Sequence, residues 1–383
     1  MPLWVRELPI IVNQPRNVEA FVAAAHRNQH FHRLGPLRPS ARLPYNLYGG
    51  VSYVNGFDYG WSLGFGISSS QQLAVGSRTN LILAGRNPEQ MENAAKDLRA
   101  RYGVEVSTLQ LDLSSLASVR DAADTCKAML KVAQIDSLQA IACNAGGQFT
   151  GPISYSVDGY EETFATNYLG HFLLVNLLLD SVSENGRIVF TASGTHDPAT
   201  MDGKMVGIAA EPDACALADE GKNGRKPISG GKRYATSKLC MILFAYELNR
   251  KLRESDSSVL SIAFNPGLIP ETGLARTSPG FVQWLLRTSL MKWFLKRLGV
   301  TMGSLAFSGP ALARVVADPS FAQASGKYIQ SKNGSILEAR SSKMSYDEKR
   351  AAQLWTDSDE LVHLRPEEQP HRLREAVVAY ANG

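Results

Sequence analysis

Short apolar runs alternate with longer segments of helical spacing from residue 80 onward. NLILAG (80–85), VEVSTLQLDL (104–113), SLQAIACNAG (137–146), GRIVFTAS (186–193) and VLSIAFNPG (259–267) have the length and composition of buried strands. The segments between them, 88–103, 114–133, 159–182 and the region around Tyr234, have the length and period of helices. This alternation is typical of βαβ units, so the sequence predicts an α/β fold: a doubly wound parallel sheet of the Rossmann type in a single domain.

The predicted domain spans residues 50–363, with a C-terminal tail at 364–383. Its first strand is expected within GGVSYVNGFDYG (49–60), a glycine-rich and interrupted run. Residues 1–49 show little apolar periodicity and are predicted to be an irregular, poorly ordered extension outside the core. An arginine-rich start is typical of organelle transit peptides, but Glu7, Glu19 and the scarcity of serine oppose that interpretation. A cytoplasmic location is expected, with a plastid or mitochondrion as the alternative.

Composition narrows the function classes. With 383 residues, 44% hydrophobic and 20% charged, the chain has the profile of a globular protein. Its 40 basic and 36 acidic residues form no long block of like charge, which argues against a nucleic-acid partner. The four cysteines lack metal-ligand spacing, so no metal site is predicted and reduced thiols are expected. No apolar run reaches the roughly 18 residues of a membrane span.

Polar residues end three of the predicted strands. Asn144, Ser193 and Asn265 each follow an apolar run. The carboxyl ends of parallel strands meet at one edge of an open α/β sheet, where such folds bind ligands. We therefore expect these three side chains to border one site.

A glycine-rich stretch precedes the second strand. Gly60, Gly64 and Gly66 follow a G-x-x-x-G-x-G spacing ahead of a predicted helix. Such a loop lets backbone N–H groups approach a pyrophosphate at a helix N-terminus. The spacing alone is weak, but its position, one helix before the second strand, favours dinucleotide binding.

The tip of that second strand bears on the cofactor. It reads Gly85-Arg86-Asn87 without the acid that binds the ribose of NAD. Arg86 is therefore predicted to bind the 2′-phosphate of NADP(H), the alternative being a solvated surface arginine. Asp112 ends the next strand, where it would either face the adenine or cap the helix that begins at Ser114 or Ser115.

Tyr234 and Lys238 lie at i and i+4 in a predicted helix, so they share one face. A phenol near pKa 10 is a poor base at neutral pH, but a neighbouring ammonium favours its anion. Such a pair can give a proton to, or take one from, a reacting oxygen. As an isolated pattern it is usually structural, so its surroundings decide.

Those surroundings resemble the short-chain dehydrogenase/reductase family. CNAGG (143–147), NYLGHF (167–172), Ser193, YATSK (234–238) and NPG (265–267) occur in that family's order over roughly residues 58–330. The resemblance implies that Tyr234 is the general acid/base and that Lys238 lowers its pKa and holds the nicotinamide ribose. It also implies that Ser193 binds the substrate oxygen and Asn167 a proton-relay water. Considered alone, each of the last two residues has a structural alternative. Asn167 is then a polar residue of its helix, and Ser193 is a cap at the end of its strand.

The resemblance further implies a set of cofactor contacts: Leu113, Asn144, Ala145, Gly146, Pro266, Gly267 and Thr272. The chain departs from the family before the glycine loop, where Tyr59-Gly60 replaces the usual Thr-Gly.

Residues 194–234, residues 326–362 and NPGLIPETGLAR (265–276) are similar to the protochlorophyllide reductase and retinol dehydrogenase-like branch. That branch implies a large, apolar substrate. The segment 281–300 places bulky apolar residues between basic ones: Phe281, Trp284, Leu285, Trp293, Phe294 and Leu298. We expect it to close over the substrate, with simple packing and peripheral membrane contact as alternatives.

The leading expectation is an NADP-dependent reductase of a carbonyl, or the reverse oxidation of an alcohol, on a hydrophobic small-molecule substrate. Light-driven reduction of a carbon–carbon double bond in a tetrapyrrole is the enzymatic alternative. A non-catalytic cofactor-binding or regulatory protein is the alternative from another class, although the intact Ser193, Tyr234 and Lys238 argue against it. The resemblance also implies pairing of long helices in a homodimer or homotetramer.

Overall fold

A computed structural model describes residues 10–13, 65–75, 80–149, 151–224, 226–269 and 288–374. Within them lies one eight-stranded sheet, with helices before and after its strands. In chain order the strands are β1 (Ile10–Asn13), β2 (Asn80–Gly85), β3 (Val106–Gln110), β4 (Leu138–Cys143), β5 (Val182–Thr191), β6 (Leu260–Asn265), β7 (Tyr328–Lys332) and β8 (Ser335–Ala339). Their spatial order is 3-2-1-4-5-6-7-8.

The helices of the described residues fill the connections. They are α1 (Phe65–Ala74), α2 (Pro88–Tyr102), α3 (Leu116–Val132), α4 in consecutive segments (Glu162–Phe164, Ala165–Leu169 and Gly170–Leu178), α5 (Met201–Val206), α6 (Ala214–Ala218), α7 (Gly230–Glu254), α8 (Ser289–Arg297), α9 (Leu305–Ala317) and α10 (Glu348–Leu361). Short 3₁₀ turns lie at Leu179–Ser181, Gly194–His196, Pro319–Phe321, Lys343–Tyr346 and His371–Leu373. None of the described helices combines the length and apolarity needed to cross a bilayer.

The doubly wound architecture predicted from the sequence is confirmed. Strands β2 with β3, and β4 through β7, pair in parallel, and β8 returns antiparallel at the edge. The predicted segments correspond closely to the helices and strands observed, because local caps fix their ends. Asn87 caps α2 by accepting from Gln90, and Gly103 ends that helix in the left-handed region at φ +65°.

The centre of the sheet differs from the expectation. Ile10–Asn13 forms β1, which pairs antiparallel with β2 and with β4. Residues 1–49 were predicted to be irregular, and these four are instead a strand of the sheet; Ile-Ile-Val is β-branched and suits a strand. The first strand expected within 49–60 lies outside the described residues, and the remainder of the extension 1–49 stays a prediction.

The region 194–232, expected to be a loop, contains two short helices. Thr200 caps α5 by accepting from Gly203, and Asp213 caps α6 by accepting from Ala216. A capping side chain supplies a partner for an N–H that a short helix would otherwise leave unsatisfied, which explains why such brief helices form here.

The helix α4 carries a π-helical turn at Ala165–Leu169. Directly after it, Gly170 lies against the chain that follows β3. A Cβ at Gly170 would be only 2.2 Å from the Leu113 carbonyl oxygen. Only glycine permits this approach, so α4 is held close to the β3–α3 connection.

The C-terminal helix α10 packs on α4 and α7. The Trp355 ring meets those of Phe172 and Phe244 edge to face, with centroids 5.1 and 5.4 Å apart. Ser358 hydrogen-bonds to the Tyr168 hydroxyl at 3.0 Å. The long helices expected to pair subunits are therefore covered, over this face, by the chain's own C-terminal helix.

Candidate active site

The carboxyl ends of β4, β5 and β6 border one cavity. Its wall combines polar groups from these strand ends with apolar groups from α1, α5 and the segment before α9. The described lining residues are Phe65, Asn144, Gly146, Thr191, Ala192, Ser193, Gly194, Thr195, Asp202, Met205, Val206, Tyr234, Lys238, Pro266, Gly267, Leu268, Ile269, Val300 and Thr301. The structure thus brings together the catalytic candidates from β5 and α7.

Helix α7 delivers Tyr234 and Lys238 to this cavity. Ser229 caps the helix, so Tyr234 falls in its second turn and both side chains face the sheet edge. They are buried, at 5% and 4% exposure. The Lys238 Nζ donates to the Thr191 carbonyl at 2.9 Å and lies 5.8 Å from the centroid of the Tyr234 ring.

Ser193 follows β5 and is only half-buried. Its hydroxyl oxygen accepts a long hydrogen bond of 3.4 Å from the Thr195 N–H. A hydroxyl has a donor and a second acceptor position beyond that bond. The strand-end cap that the sequence left as an alternative therefore exists, and it is compatible with binding a substrate oxygen.

Asn167 lies in the π-helical turn of α4 and is fully buried. Its Oδ1 accepts from the Gly147 N–H at 2.8 Å, and its Nδ2 donates to the Gly147 carbonyl and to the Ser237 hydroxyl, each at 3.0 Å. Asn167 thus ties the loop after β4 to α7, one residue before Lys238. π-helical turns are frequent at functional sites.

The loop after β4 lies against the end of β5, α4 and α7. Thr191 donates to Asn144 Oδ1 at 2.9 Å, joining the ends of β4 and β5. A Cβ at Gly146 would lie 2.9 Å from Asn167 Oδ1 and 3.2 Å from Lys238 Nζ. Glycine therefore keeps the backbone within reach of both side chains.

Gly267, after β6, also lies too close to neighbouring backbone to carry a side chain. Gly267 has φ +76°, and a Cβ there would lie 2.9 Å from the Gly303 nitrogen and 3.0 Å from the Thr301 carbonyl oxygen. The Pro266 carbonyl accepts from Ser308 at 2.7 Å, and Asn265 Oδ1 accepts from the Gly267 N–H at 2.9 Å. The turn after β6 is thus fixed by hydrogen bonds within the chain itself.

Arg86 directly follows β2, and Asp112 lies two residues beyond the end of β3. Arg86 Nη1 lies 4.0 Å from Asp112 Oδ2. Burial lowers the pKa of the Arg86 guanidinium, and the Asp112 charge opposes this. Asp112 Oδ1 accepts from the Ser114 N–H and hydroxyl, while Ser115 caps α3; Asp112 is thus no helix cap.

The remaining predicted contacts divide into two groups. Gly66 is buried in the first turn of α1, and Leu113 and Ala145 are buried near the strand ends. Gly60, Gly64 and Thr272 lie outside the described residues.

Two buried histidines were not predicted from the sequence. His171 Nε2 lies 2.8 Å from the Ala145 carbonyl, and burial lowers the pKa of this ring to about 3. The ring is therefore neutral, and its Nε2–H donates to that carbonyl. Its spacing of four residues from Asn167, on the same helix face, was the available signal.

His196 hydrogen-bonds to the backbone carbonyl of Ser193. The Ser342 N–H donates to His196 Nε2 at 2.9 Å, so the proton of the neutral ring is on Nδ1, which lies 2.6 Å from the Ser193 carbonyl oxygen. Burial lowers the pKa of His196 to about 4. The C-terminal region thereby fixes the end of β5, a contact that no local motif reveals.

These residues fit a dinucleotide. Gly146 and Gly267 line the cavity without a side chain, and the N-terminus of α1 reaches the same cavity through Phe65. A helix N-terminus favours a phosphate group. The free cysteines take no part: Cys126, Cys143 and Cys240 are buried and Cys215 is exposed away from the cavity.

Known proteins resemble this chain in sequence. The family described as short chain dehydrogenase matches residues 59–201. The chain is 31% identical over 322 residues to "Protochlorophyllide reductase, chloroplastic" of Daucus carota, covering 80% of this chain and 77% of that one. It is 30% identical to "Protochlorophyllide reductase A, chloroplastic" of Oryza sativa, covering 80% and 79%.

Solved structures share the fold. A short chain dehydrogenase from Burkholderia cenocepacia in complex with NADP has a TM-score of 0.51 at 19% identity, covering 71% of this chain and 93% of that one. An uncharacterized protein from Mycobacterium paratuberculosis has a TM-score of 0.54 at 24% identity, covering 78% and 90%.

Proposed function

The chain belongs to the short-chain dehydrogenase/reductase family of oxidoreductases, in the branch of the protochlorophyllide reductases, and on this basis we propose that it is an NADPH-dependent reductase of a hydrophobic carbonyl substrate. The reverse reaction is oxidation of the corresponding alcohol. One observation carries the proposal: Ser193, Tyr234 and Lys238 line the same cavity at the carboxyl edge of the sheet.

In this proposal Tyr234 gives its phenolic proton to the substrate oxygen, while the Ser193 hydroxyl hydrogen-bonds to that oxygen. Lys238 lies 5.8 Å from the tyrosine ring, where its positive charge favours the phenolate that remains. The Thr191 carbonyl holds the lysine at the sheet edge. Asn167 keeps the loop after β4 in place beside it.

The cofactor assignment is NADP(H). When bound, it supplies the hydride. Arg86 is the candidate for the 2′-phosphate, supported by its place at the end of β2 and by the NADP complex of the Burkholderia protein. Asn144, Gly146, Pro266 and Gly267 would hold the nicotinamide end.

The substrate side of the cavity is largely apolar, with Asp202 and Thr301 as polar residues. Met205, Val206, Ile269 and Val300 form this wall. Such a lining excludes water and favours a hydrophobic substrate. The segment 281–300 remains the predicted lid, although Phe281, Trp284 and Leu285 lie outside the described residues.

A second candidate reaction is reduction of a tetrapyrrole double bond in light. It is favoured by the names of the relatives at 31% and 30% identity. A protein that binds cofactor without turnover is the third candidate. The chloroplastic names of those relatives also support a plastid among the predicted compartments.

The experiment is a substrate screen that follows NADPH absorbance with apolar ketones, retinoid-like aldehydes and tetrapyrroles, in light and in darkness. Tyr234→Phe removes only the hydroxyl, so turnover should fall by about 10²- to 10⁴-fold or more while NADPH still binds. Lys238→Met should lower turnover comparably and weaken NADPH binding.

Tyr246→Phe is the matched control, because Tyr246 lies on the same helix but bonds Ser341 at 2.8 Å, outside the cavity lining. It should keep wild-type turnover. Turnover that persists in Tyr234→Phe removes the tyrosine from the mechanism. If the wild type consumes only a tetrapyrrole, and only in light, the second candidate is selected. If the wild type turns over no class of substrate, the non-catalytic binding protein is favoured.

Peripheral membrane contact is a separate proposal for α8. Leu290, Trp293 and Phe294 are exposed at 76%, 58% and 49%, and Lys292 and Lys296 lie on the same helix. An exposed apolar face flanked by cations suits a membrane surface better than internal packing. Sedimentation with anionic liposomes should decrease for Trp293→Ser; equal sedimentation of wild type and variant contradicts the contact.

A further inference from the structure

Asp202 is a carboxyl group on the cavity wall that the proposed chemistry does not use. It lies in the first turn of α5 and is 8% exposed. A Cβ at Gly194 would lie 2.8 Å from Asp202 Oδ2, so the carboxyl is next to the residue that follows Ser193. The group is therefore placed close to where a substrate oxygen would bind.

The neighbours of Asp202 leave part of its acceptor capacity unused. The Thr301 N–H donates to both oxygens, at 3.2 and 3.3 Å, and the Thr301 side chain also hydrogen-bonds to the carboxyl. A carboxylate has about four acceptor positions. Among the described residues, the hydrogen bonds to Asp202 thus come from one neighbour, through long and shared contacts.

The surroundings make this an unfavourable place for a carboxylate without a further partner. Burial raises the pKa of Asp202, and the Lys332 charge opposes this. Met205, Val206 and Val300 lie on the same wall, and Asp202 is the only carboxyl among the described residues that line the cavity. Burying a charged acceptor costs free energy unless donors satisfy it.

We propose that Asp202 is a specificity residue that accepts a hydrogen bond from a hydroxyl or ammonium group of the substrate, next to the reacting carbonyl. The substrate class is then an apolar ketone or aldehyde that carries a neighbouring hydrogen-bond donor. A substrate with a carboxylate at that position is disfavoured by charge repulsion. This inference rests on the proposed function, since it assigns the substrate of the same site.

The competing role of Asp202 is structural: its hydrogen bonds from Thr301 join α5 to the segment before α9. Asp202→Asn separates the two, because the amide oxygen still accepts from the Thr301 N–H while the charge and one acceptor are lost. A purely structural role predicts that Asp202→Asn has a lower melting temperature and an unchanged ligand preference. A specificity residue predicts a change in preference at unchanged melting temperature.

The test compares benzoin with deoxybenzoin, two apolar ketones that differ by one hydroxyl beside the carbonyl. Calorimetric titration in the presence of NADP⁺, which cannot reduce a ketone, should show that the wild type binds benzoin at least about tenfold more tightly, the value for a hydrogen bond to a charged group. Asp202→Asn should abolish this preference and improve binding of benzoylformate, an anionic ketone. Asp213→Asn, which alters an exposed helix cap of α6, is the matched control and should keep the wild-type preference.

Equal binding of the two ketones by the wild type, or no binding of either, overturns the assignment. So does a preference for benzoin that survives in Asp202→Asn. Failure of the proposed function looks different: benzoin would bind preferentially, yet neither the wild type nor Tyr234→Phe would oxidise NADPH with it.

Discussion

The packing of the C-terminal helix on α4 and α7 can be tested by removing the ring of Trp355. This ring contacts those of both Phe172 and Phe244, and the Lys251 Nζ lies 5.0 Å from its centroid. Trp355→Ala leaves a hole at the junction of α4, α7 and α10. We expect the free energy of unfolding to decrease.

The magnitude follows from the area and the ring contacts. A tryptophan that buries roughly 150–250 Å² of surface contributes about 4–6 kcal/mol at about 25 cal/mol per Å². Trp355 is partly exposed, which reduces this figure, while its two edge-to-face contacts add about 1–3 kcal/mol. We therefore expect a loss of about 3–5 kcal/mol, the range for such core truncations. At an m-value of about 3 kcal/mol per M, the urea midpoint should fall by roughly 1 M or more.

The assay is urea unfolding followed by circular dichroism. Trp293→Ala is the control, because Trp293 is 58% exposed on α8 and its removal should change stability by less than about 0.5 kcal/mol. Trp355→Phe keeps an aromatic ring and should recover most of the loss. A Trp355→Ala midpoint within the error of the Trp293→Ala midpoint would refute the reasoning.

The same samples address the predicted homodimer or homotetramer. Because α10 covers the shared face of α4 and α7, we expect the wild type to elute as a monomer in size-exclusion chromatography with light scattering. Trp355→Ala, with that face loosened, should show more association. A wild-type dimer would mean that subunits meet elsewhere, or that α10 moves aside.

Further predictions concern cofactor binding and acid stability. Arg86→Ala should weaken NADPH binding by about 1.5–3 kcal/mol and leave NADH binding nearly unchanged, as measured by fluorescence titration; equal losses would contradict the phosphate assignment. Gly170→Ala should weaken NADPH binding and stability together, since its Cβ would meet the Leu113 carbonyl at 2.2 Å, with about 1–3 kcal/mol of overpacking only partly offset by the roughly 1 kcal/mol helix preference of alanine. Burial raises the pKa of Glu368, but hydrogen bonds from Arg120 and Arg365 outweigh it and bring the pKa to about 2, below the ordinary 4.5. Because its pKa is lowered in the folded state, ionised Glu368 stabilises the fold above pH 4.5, and this stabilisation is lost as the pH falls toward 2. Glu368→Gln should therefore reduce the change in unfolding free energy between pH 2 and 5 by about 1–2 kcal/mol, after allowance for solvent screening. An unchanged pH profile in urea titrations at pH 2–5 would contradict this expectation.

The sequence by itself determined the alternation of strands and helices. Asn87, Gly103 and Ser115 cap helices through neighbours a few residues away, so the bounds of α2 and α3 follow from local chemistry. The common strand edge of Asn144 and Ser193 also followed, because the carboxyl ends of parallel strands lie at the same edge of the sheet. Tyr234 and Lys238 are one helical turn apart, so their spacing alone was enough to place them on one helix face.

Only the tertiary structure decided what meets across distant parts of the chain. Ile-Ile-Val suits a strand, but the antiparallel pairing of Ile10–Asn13 with β2 and β4 depends on partners some 70 and 130 residues away. His196 meets Ser342, and Asp202 meets Thr301, across similarly long separations. Strand order and such contacts depend on which surfaces are buried against each other when the layers pack. The free energy of that burial depends on both surfaces, so neither segment alone determines it.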